Sequence, residues 1–327
     1  MIRSQTILLP KALRAGDTVA VAALSGPLDS EFEAAFRDGV AEIERLGYAV
    51  HVSPLVDVAR SWWWSAARPS EIAEELNRLL RDPGIRAIFA LTGGRTVLGY
   101  LDRIDYDAVR ADPKPIVGFS DIDVLLLALH GRTGLACFHA DLVAEGLGDW
   151  HTDDRRRKEL TDVYTGLLTG APPAGPLPQG GPWESWRGGR ARGALLGGLL
   201  NRVIRIQATP FALPPERFDG AILFWEELMT NFAGVWTDLQ ALRLAGVFDR
   251  IAGMVVGVPT EVQPTEGGPN ALREIVLDAL GDRDIPVVGN ADIGHQPPNV
   301  PLPLGVGAEL DGDAATLSLL GPATVRA

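Results

Sequence analysis

Three observations predict an α/β chain of two domains, the first doubly wound around a mainly parallel sheet and the second smaller and mixed. Short β-rich apolar runs alternate with amphipathic helical stretches from Val19 onward, the signature of βαβ units. A length of 327 residues fits two domains at roughly 100–200 residues each. The tail alternates through Val306, Ala308 and Leu310, turns at Asp311-Gly312-Asp313, and alternates again through Ala315, Leu317 and Leu319, which reads as an antiparallel hairpin.

The elements follow in order. Val19–Leu24 is a first strand, broken by Ser25-Gly26-Pro27. Phe32, Phe36, Val40, Ile43 and Leu46 recur at helical spacing over residues 31–46, and Gly47 stops that helix. A second strand spans residues 48–52. Pro69-Ser70 opens a helix through Ile72, Leu76, Leu79 and Leu80, because proline is at home in a first turn. Residues 85–91 form a third strand ending in Thr92-Gly93-Gly94, and residues 115–119 a fourth that runs into Ser120. The helix after it, 122–129, is apolar on nearly every side and must be buried on nearly every side.

A charged helix from about Arg155 to Leu168 closes the first half. Residues 170–193 then hold five prolines, many glycines, Trp183 and Trp186, a composition that reads as a linker or an active-site loop. The second half resumes at 194–206, with strands at 221–225, 253–258 and 287–289 and helical stretches at 239–244 and 271–280.

Composition excludes several function classes. With 46% hydrophobic residues the chain can bury a sizeable core, so intrinsic disorder is a poor description. A net charge of −12 repels a phosphate backbone, and a nucleic-acid partner is not expected. The single cysteine, Cys137, excludes an internal disulfide framework and a thiolate cluster. Only Ile7-Leu8-Leu9 precede Pro10 as an apolar patch, and no uncharged apolar run reaches the roughly 20 residues that cross a bilayer. The expectation is a cytoplasmic protein without a membrane partner.

Chemistry is sought among few candidates. The five histidines show no HExxH spacing and no acidic metal-binding run, so no metal is expected. His139 sits two residues from Cys137, either as a Cys/His pair or as a buried thiol beside a hydrogen-bonded imidazole. His295 lies in a Gly/Pro-rich loop, where functional side chains concentrate. Gly118-Phe119-Ser120-Asp121 turns sharply from strand to helix, which would expose a serine hydroxyl and aim the following N–H groups at it; the alternative is a plain N-cap. Thr92-Gly93-Gly94 ends the neighbouring strand, where α/β sheets bind ligands, as an oxyanion hole, a phosphate cradle or simply a tight turn. Glu226-Glu227 closes a strand, so the two carboxylates should point to opposite faces.

Taken together, these segments resemble the L,D-carboxypeptidase family, the serine peptidases that include murein tetrapeptide carboxypeptidase and the microcin C self-immunity hydrolases. The resemblance rests on residues 9–19 with Ser25-Gly26-Pro27, on Gly118-Phe119-Ser120-Asp121, and on Gly193-Ala194-Leu195-Leu196-Gly197-Gly198. It continues in Ile222-Leu223-Phe224-Trp225-Glu226-Glu227 and in Gly294-His295 with Leu302-Pro303-Leu304-Gly305. It implies a Rossmann-like N-terminal domain, a smaller β-rich C-terminal domain, a homodimer, and neither metal nor organic cofactor. The boundaries expected are 1–150 for the domain with the nucleophile, 151–193 for the linker or active-site loop, and 194–327 for the domain with Glu226 and His295.

By the same resemblance Ser120, His295 and Glu226 match a Ser-His-Glu triad, and the N–H groups of Asp121 and Gly94 match the oxyanion donors. The activity implied is hydrolysis of an L,D-peptide bond of a muropeptide. One alternative is cleavage of the amide of an aminoacyl-nucleotide antibiotic, for which Trp183 or Trp186 would stack on a purine, whereas the same indoles could equally seal the dimer or domain interface; another is a catalytically silent peptide-binding homologue. Gly93 is a further substrate-binding candidate. Thr92 stands where the family usually has arginine, and Leu199 where it usually has asparagine, departures that bear on substrate more than on reaction class. Trp62-Trp63-Trp64 has no functional account.

Overall fold

The computed structural model describes residues 7–171, 174–262, 268 and 270–326, so Met1–Thr6 of the N-terminal segment lie outside it. The chain forms two compact units, the first made of residues 1–173, 301–306 and 322–327 and the second of 174–300 and 307–321.

In chain order unit 1 holds β1 (Thr18–Ala22), α1 (Glu33–Arg45), β2 (Ala49–Val52), α2 (Pro69–Arg81), β3 (Ile85–Ala90), α3 (Tyr106–Ala111), β4 (Ile116–Gly118), α4 (Ile122–Thr133), β5 (Phe138–His139) and α5 (Asp154–Thr169). Unit 2 follows with β6 (Glu184–Arg187), β7 (Arg190–Leu199), α6 (Leu200–Gln207), β8 (Ile222–Glu226), α7 (Phe232–Leu244), β9 (Gly253–Gly257), α8 (Ala271–Leu280) and β10 (Val287–Ala291). The chain returns to unit 1 for β11 (Leu302–Pro303) and to unit 2 for β12 (Gly307–Asp311) and β13 (Thr316–Leu319).

Unit 1 has the Rossmann-like architecture. Its sheet runs β11-β5-β4-β3-β1-β2, parallel from β2 through β5, with β11 alone antiparallel. Parallel strands need crossovers that cover both faces, and the strands are correspondingly apolar throughout. Val19, Val21, Ile88 and Val117 are all at most 1% exposed. Helix α4 is buried along Ile122–His130, as its unbroken apolar run requires, and ends on Gly134 in the left-handed conformation, φ 79°. Helix α2 starts with Pro69 in its first turn and buries Ile72, Ala73, Leu76, Leu79 and Leu80 on one face. Chain order in the sheet reverses between β1 and β3, the switch point at whose carboxyl end such sheets bind ligands.

Unit 2 has a seven-stranded mixed sheet in the order β13-β12-β7-β8-β9-β10-β6. The strands β7, β8, β9 and β10 are parallel, and antiparallel strands flank them. A Cβ on Gly197 would stand 1.7 Å from the Phe224 carbonyl oxygen, so only glycine lets β7 pass this close to β8. The hairpin of β12 and β13 pairs Asp311 with Thr316. Its loop is therefore longer than the Asp311-Gly312-Asp313 turn expected, and Asp311 Oδ1 caps it by accepting from the N–H groups of Asp313 and Ala314.

The division of the chain also differs from the one expected. Helix α5 packs into unit 1, with Tyr164 edge-on to Trp150 at 5.0 Å. Residues 174–193 belong to unit 2, where they supply β6 and the first residues of β7. Composition misleads here because Arg190, Ala191, Arg192 and Gly193 open a strand in which the two arginines face out and Ala191 faces in. The final residues return to unit 1, where Val325 bridges to Lys11.

Candidate active site

In unit 1 the residues of interest come from the carboxyl ends of β1, β3 and β4. Ser120 follows β4 with φ 65°, a left-handed conformation rare for a side chain with a Cβ. Strain of this kind persists only where the surroundings impose it. The N-cap of α4 is Asp121, and its side chain makes no capping bond. Instead Asp121 Oδ2 accepts from Ser25 Oγ at 2.7 Å, Thr96 N at 2.7 Å and Val97 N at 3.0 Å. One buried carboxylate thus ties the β1 and β3 loops to the serine's turn, a side-chain role for Asp121 that nothing in the sequence marks.

The Thr92-Gly93-Gly94 loop lies against this corner. Gly26 N donates to Gly93 O at 2.7 Å, and Thr92 Oγ1 donates to Gly26 O at 3.1 Å, so the threonine that replaces the expected arginine braces two loops. A Cβ on Gly93 would stand 2.9 Å from Ser120 Oγ, hence any side chain there would crowd the hydroxyl. Gly94 has φ 142°, and a Cβ on it would meet Ser25 Oγ at 2.5 Å.

In unit 2, β8 ends on Glu226 and β10 leads into the loop that carries His295. His295 Nδ1 lies 2.9 Å from Glu226 Oε2 and 3.0 Å from Oε1. The Glu226 side chain is wholly buried and the His295 ring 15% exposed, so the imidazole alone has an outlet. With Nδ1 donating to the carboxylate, Nε2 is the nitrogen left to take a proton. Gly294 has φ 94°, and a Cβ on it would stand 2.1 Å from Glu226 Cγ, so the carboxylate occupies space that only glycine leaves. Gly294 N donates to Asn299 Oδ1 at 2.8 Å, which closes the loop.

Glu227 points away, as alternation requires. It accepts from Asn201 N at 3.1 Å, from Asn201 Nδ2, and from Leu228 N at 2.9 Å. Burial, with Glu226 adding repulsion, raises its carboxyl to about 7 against the opposing pull of the Leu228 and Asn201 amides.

Trp183 and Trp186 pack inside unit 2. Trp183 Nε1 donates to Asp292 Oδ2 at 2.8 Å, where Gly180 N also donates at 2.8 Å; the Gly/Pro-rich segment is thereby fastened three residues before His295. Trp186 Nε1 donates to Glu184 Oε2, and its ring fills the space beside Gly289. The indoles are 6% and 5% exposed, which leaves their faces to the protein's own packing. Leu199, at the other family departure, is buried at the end of β7. His139 Nδ1 pairs with Asp123 Oδ1 at 2.8 Å, both fully buried, and burial pushes the Cys137 thiol up, so the buried-thiol reading of that pair holds.

Residues 19–140 match the description LD-carboxypeptidase N-terminal domain, and residues 192–310 match LD-carboxypeptidase C-terminal domain. The chain belongs to the LD-carboxypeptidase family. Similar relatives include the microcin C7 self-immunity protein MccF of Escherichia coli, 27% identical over 98% of this chain and 97% of its own. The probable murein peptide carboxypeptidase of Bacillus subtilis is 27% identical over 92% of this chain and 91% of its own. MccF in its wild-type apo state has the same fold, with a TM-score of 0.87 and 24% identity over 97% of this chain and 100% of that one. MccF has also been solved in complex with aspartyl sulfamoyl adenosine. LD-carboxypeptidase relatives named as carboxypeptidases make hydrolysis the family-level activity. No helix among the described residues is long and apolar enough to cross a membrane.

Proposed function

We propose that this chain is a serine carboxypeptidase that hydrolyses an L,D-peptide bond of muropeptides, with Ser120 as nucleophile, His295 as general base and Glu226 as the carboxylate that orients it. The observation that carries the reading is the His295–Glu226 pair, which leaves Nε2 as the imidazole's proton acceptor. The left-handed Ser120 at a strand end beside Gly93 supports it.

The mechanism follows from these roles. His295 Nε2 takes the Ser120 proton as Oγ attacks the scissile carbonyl, and Glu226 stabilises the imidazolium that forms. The N–H groups of Asp121 and Gly94 receive the oxyanion, a contribution typically worth about 10²–10³ in turnover for one donor. His295 then protonates the leaving amine, and water repeats the sequence to release the acyl group. The Asp121 carboxylate, by holding Thr96 and Val97, keeps the β3 loop in register with the elbow; errors well below about 1 Å matter to such geometry.

A second reading, cleavage of the amide of an aminoacyl-nucleotide antibiotic, is favoured by the match to MccF, which spans slightly more of this chain than the murein enzyme's at equal identity. Wild-type and Ser120→Ala protein, each given L,D-tetrapeptides and aminoacyl sulfamoyl adenosines, separate the two. Release of the terminal D-amino acid by wild type alone supports the carboxypeptidase, release of the nucleotide portion supports the immunity-type hydrolase, and activity surviving in Ser120→Ala refutes both. Absence of turnover with folding intact would leave a silent binding homologue.

A further inference from the structure

The segment before β6 grips the His295 loop on both of its arms. β6 runs antiparallel to β10, with Glu184 opposite Gly289 and Ser185 opposite Val288, so the residues just before Glu184 continue alongside the end of β10. There the loop of residues 292–300 is closed at its neck by Val300 N, which donates to Asp292 O at 2.8 Å. The Asp292 side chain gathers Trp183 Nε1 and Gly180 N at 2.8 Å each, and Gly181 N at 3.4 Å, on the single oxygen Oδ2. A Cβ on Gly180 would stand 2.7 Å from Pro298 Cγ and 3.7 Å from Asp292 Oδ1, so residue 180 is wedged between the two arms. The tip, Gln296-Pro297, is exposed, and the backbone that carries His295 is steadied at those arms and by the Glu226 contact.

Hydrogen bonds to an ionised carboxylate are roughly twice as strong as neutral ones, and Asp292 is buried. Of its three donors to Oδ2 only Trp183 uses a side chain, so the indole N–H is a strut that substitution can remove. A catalytic base tolerates misplacement well below about 1 Å. We propose that Trp183 is a positioning residue for His295, acting through Asp292 to fix the arm from which the imidazole projects. The proposal rests on His295 being the general base. It goes beyond that reading by giving the Gly/Pro-rich segment a consequence for turnover that needs no contact with substrate.

The test labels the full chain with a fluorophosphonate probe at rising concentrations, which separates the maximal rate of Ser120 modification from the half-saturating probe concentration. Trp183→Phe removes the indole N–H and keeps an aromatic ring. It is expected to lower the maximal rate about tenfold and leave half-saturation within about twofold, because a misplaced base slows reaction more than binding. Asp292→Asn should slow labelling as well, and adding Trp183→Phe to it should cost less than about twofold more, since both changes break one contact. Val276→Ala, a deletion in the buried face of α8, should lower the thermal midpoint yet keep the rate within about twofold of wild type.

A Trp183→Phe rate within about twofold of wild type, effects that multiply in the double variant, or equal slowing by Val276→Ala would assign the bond to stability alone and overturn the proposal. Labelling of His295→Ala at the wild-type rate would instead bring down the reading of His295 as base, a result these comparisons do not share.

Discussion

Glu226 and His295, 69 residues apart in sequence, meet through two carboxylate oxygens at 2.9 and 3.0 Å from one ring nitrogen. The carboxylate is fully buried, and such enclosure makes it a fixed dipole for the imidazole instead of a solvated charge. Glu226→Gln keeps the shape and loses the charge. We expect kcat to fall by roughly 10³–10⁴, as when a triad loses the carboxylate that orients its base, with KM little changed. Steady-state kinetics beside circular dichroism would check this; a drop below about tenfold would contradict the role.

Gly294 supports that pair from below. Gly294→Ala adds a Cβ into Glu226 at 2.1–2.7 Å and places an L side chain at φ 94°. The carboxylate must move, so activity should fall by about 10²-fold and the thermal midpoint should drop as well. A variant with wild-type turnover would show that the loop absorbs the methyl without disturbing His295.

Asp121 should matter through its side chain as much as its backbone. Asp121→Asn replaces a carboxylate oxygen that takes three bonds from Ser25, Thr96 and Val97. Weaker neutral acceptance in a buried site should destabilise the fold by about 1–3 kcal/mol. It should also loosen the loop bearing Gly93 and Gly94, lowering kcat. Urea denaturation and kinetics on the same preparation measure both, and an unchanged midpoint would refute the bracing role.

Glu227 makes stability depend on pH with a definite sign. Its carboxyl titrates at about 7 in the folded chain against an ordinary 4.5, so the folded state holds the proton more tightly. Stability from this group is therefore complete below about pH 4.5 and declines as pH rises through 7, by about 3 kcal/mol in all. Glu227→Gln should flatten that decline, read as the difference between the two proteins' urea stabilities from pH 5 to 8. Parallel profiles would contradict it.

Legibility varied with how local the signal was. Helices α2 and α8 and the strands β1, β3 and β8 carry their own periodicity and stop signals, and their positions match within a residue or two. Helix α7 begins seven residues before the helical spacing at 239–244, because Phe232-Ala233-Gly234-Val235-Trp236 mixes apolar and small residues without an apolar face. Its start depends on Asn231 accepting from Gly234 N. The Ser120 turn and the Glu226–His295 partners were legible from motif order. The Trp183–Asp292 bond was not, since nothing in Ala291-Asp292-Ile293 marks it. The contact arises only when β6 pairs with β10.

The most direct test is covalent labelling with a fluorophosphonate probe, mapped by peptide mass spectrometry in wild-type, His295→Ala and Glu226→Gln protein. The account predicts a single adduct on Ser120, formed much more slowly in Glu226→Gln and essentially lost in His295→Ala. An adduct elsewhere, or Ser120 labelling at an unchanged rate without His295, would contradict it.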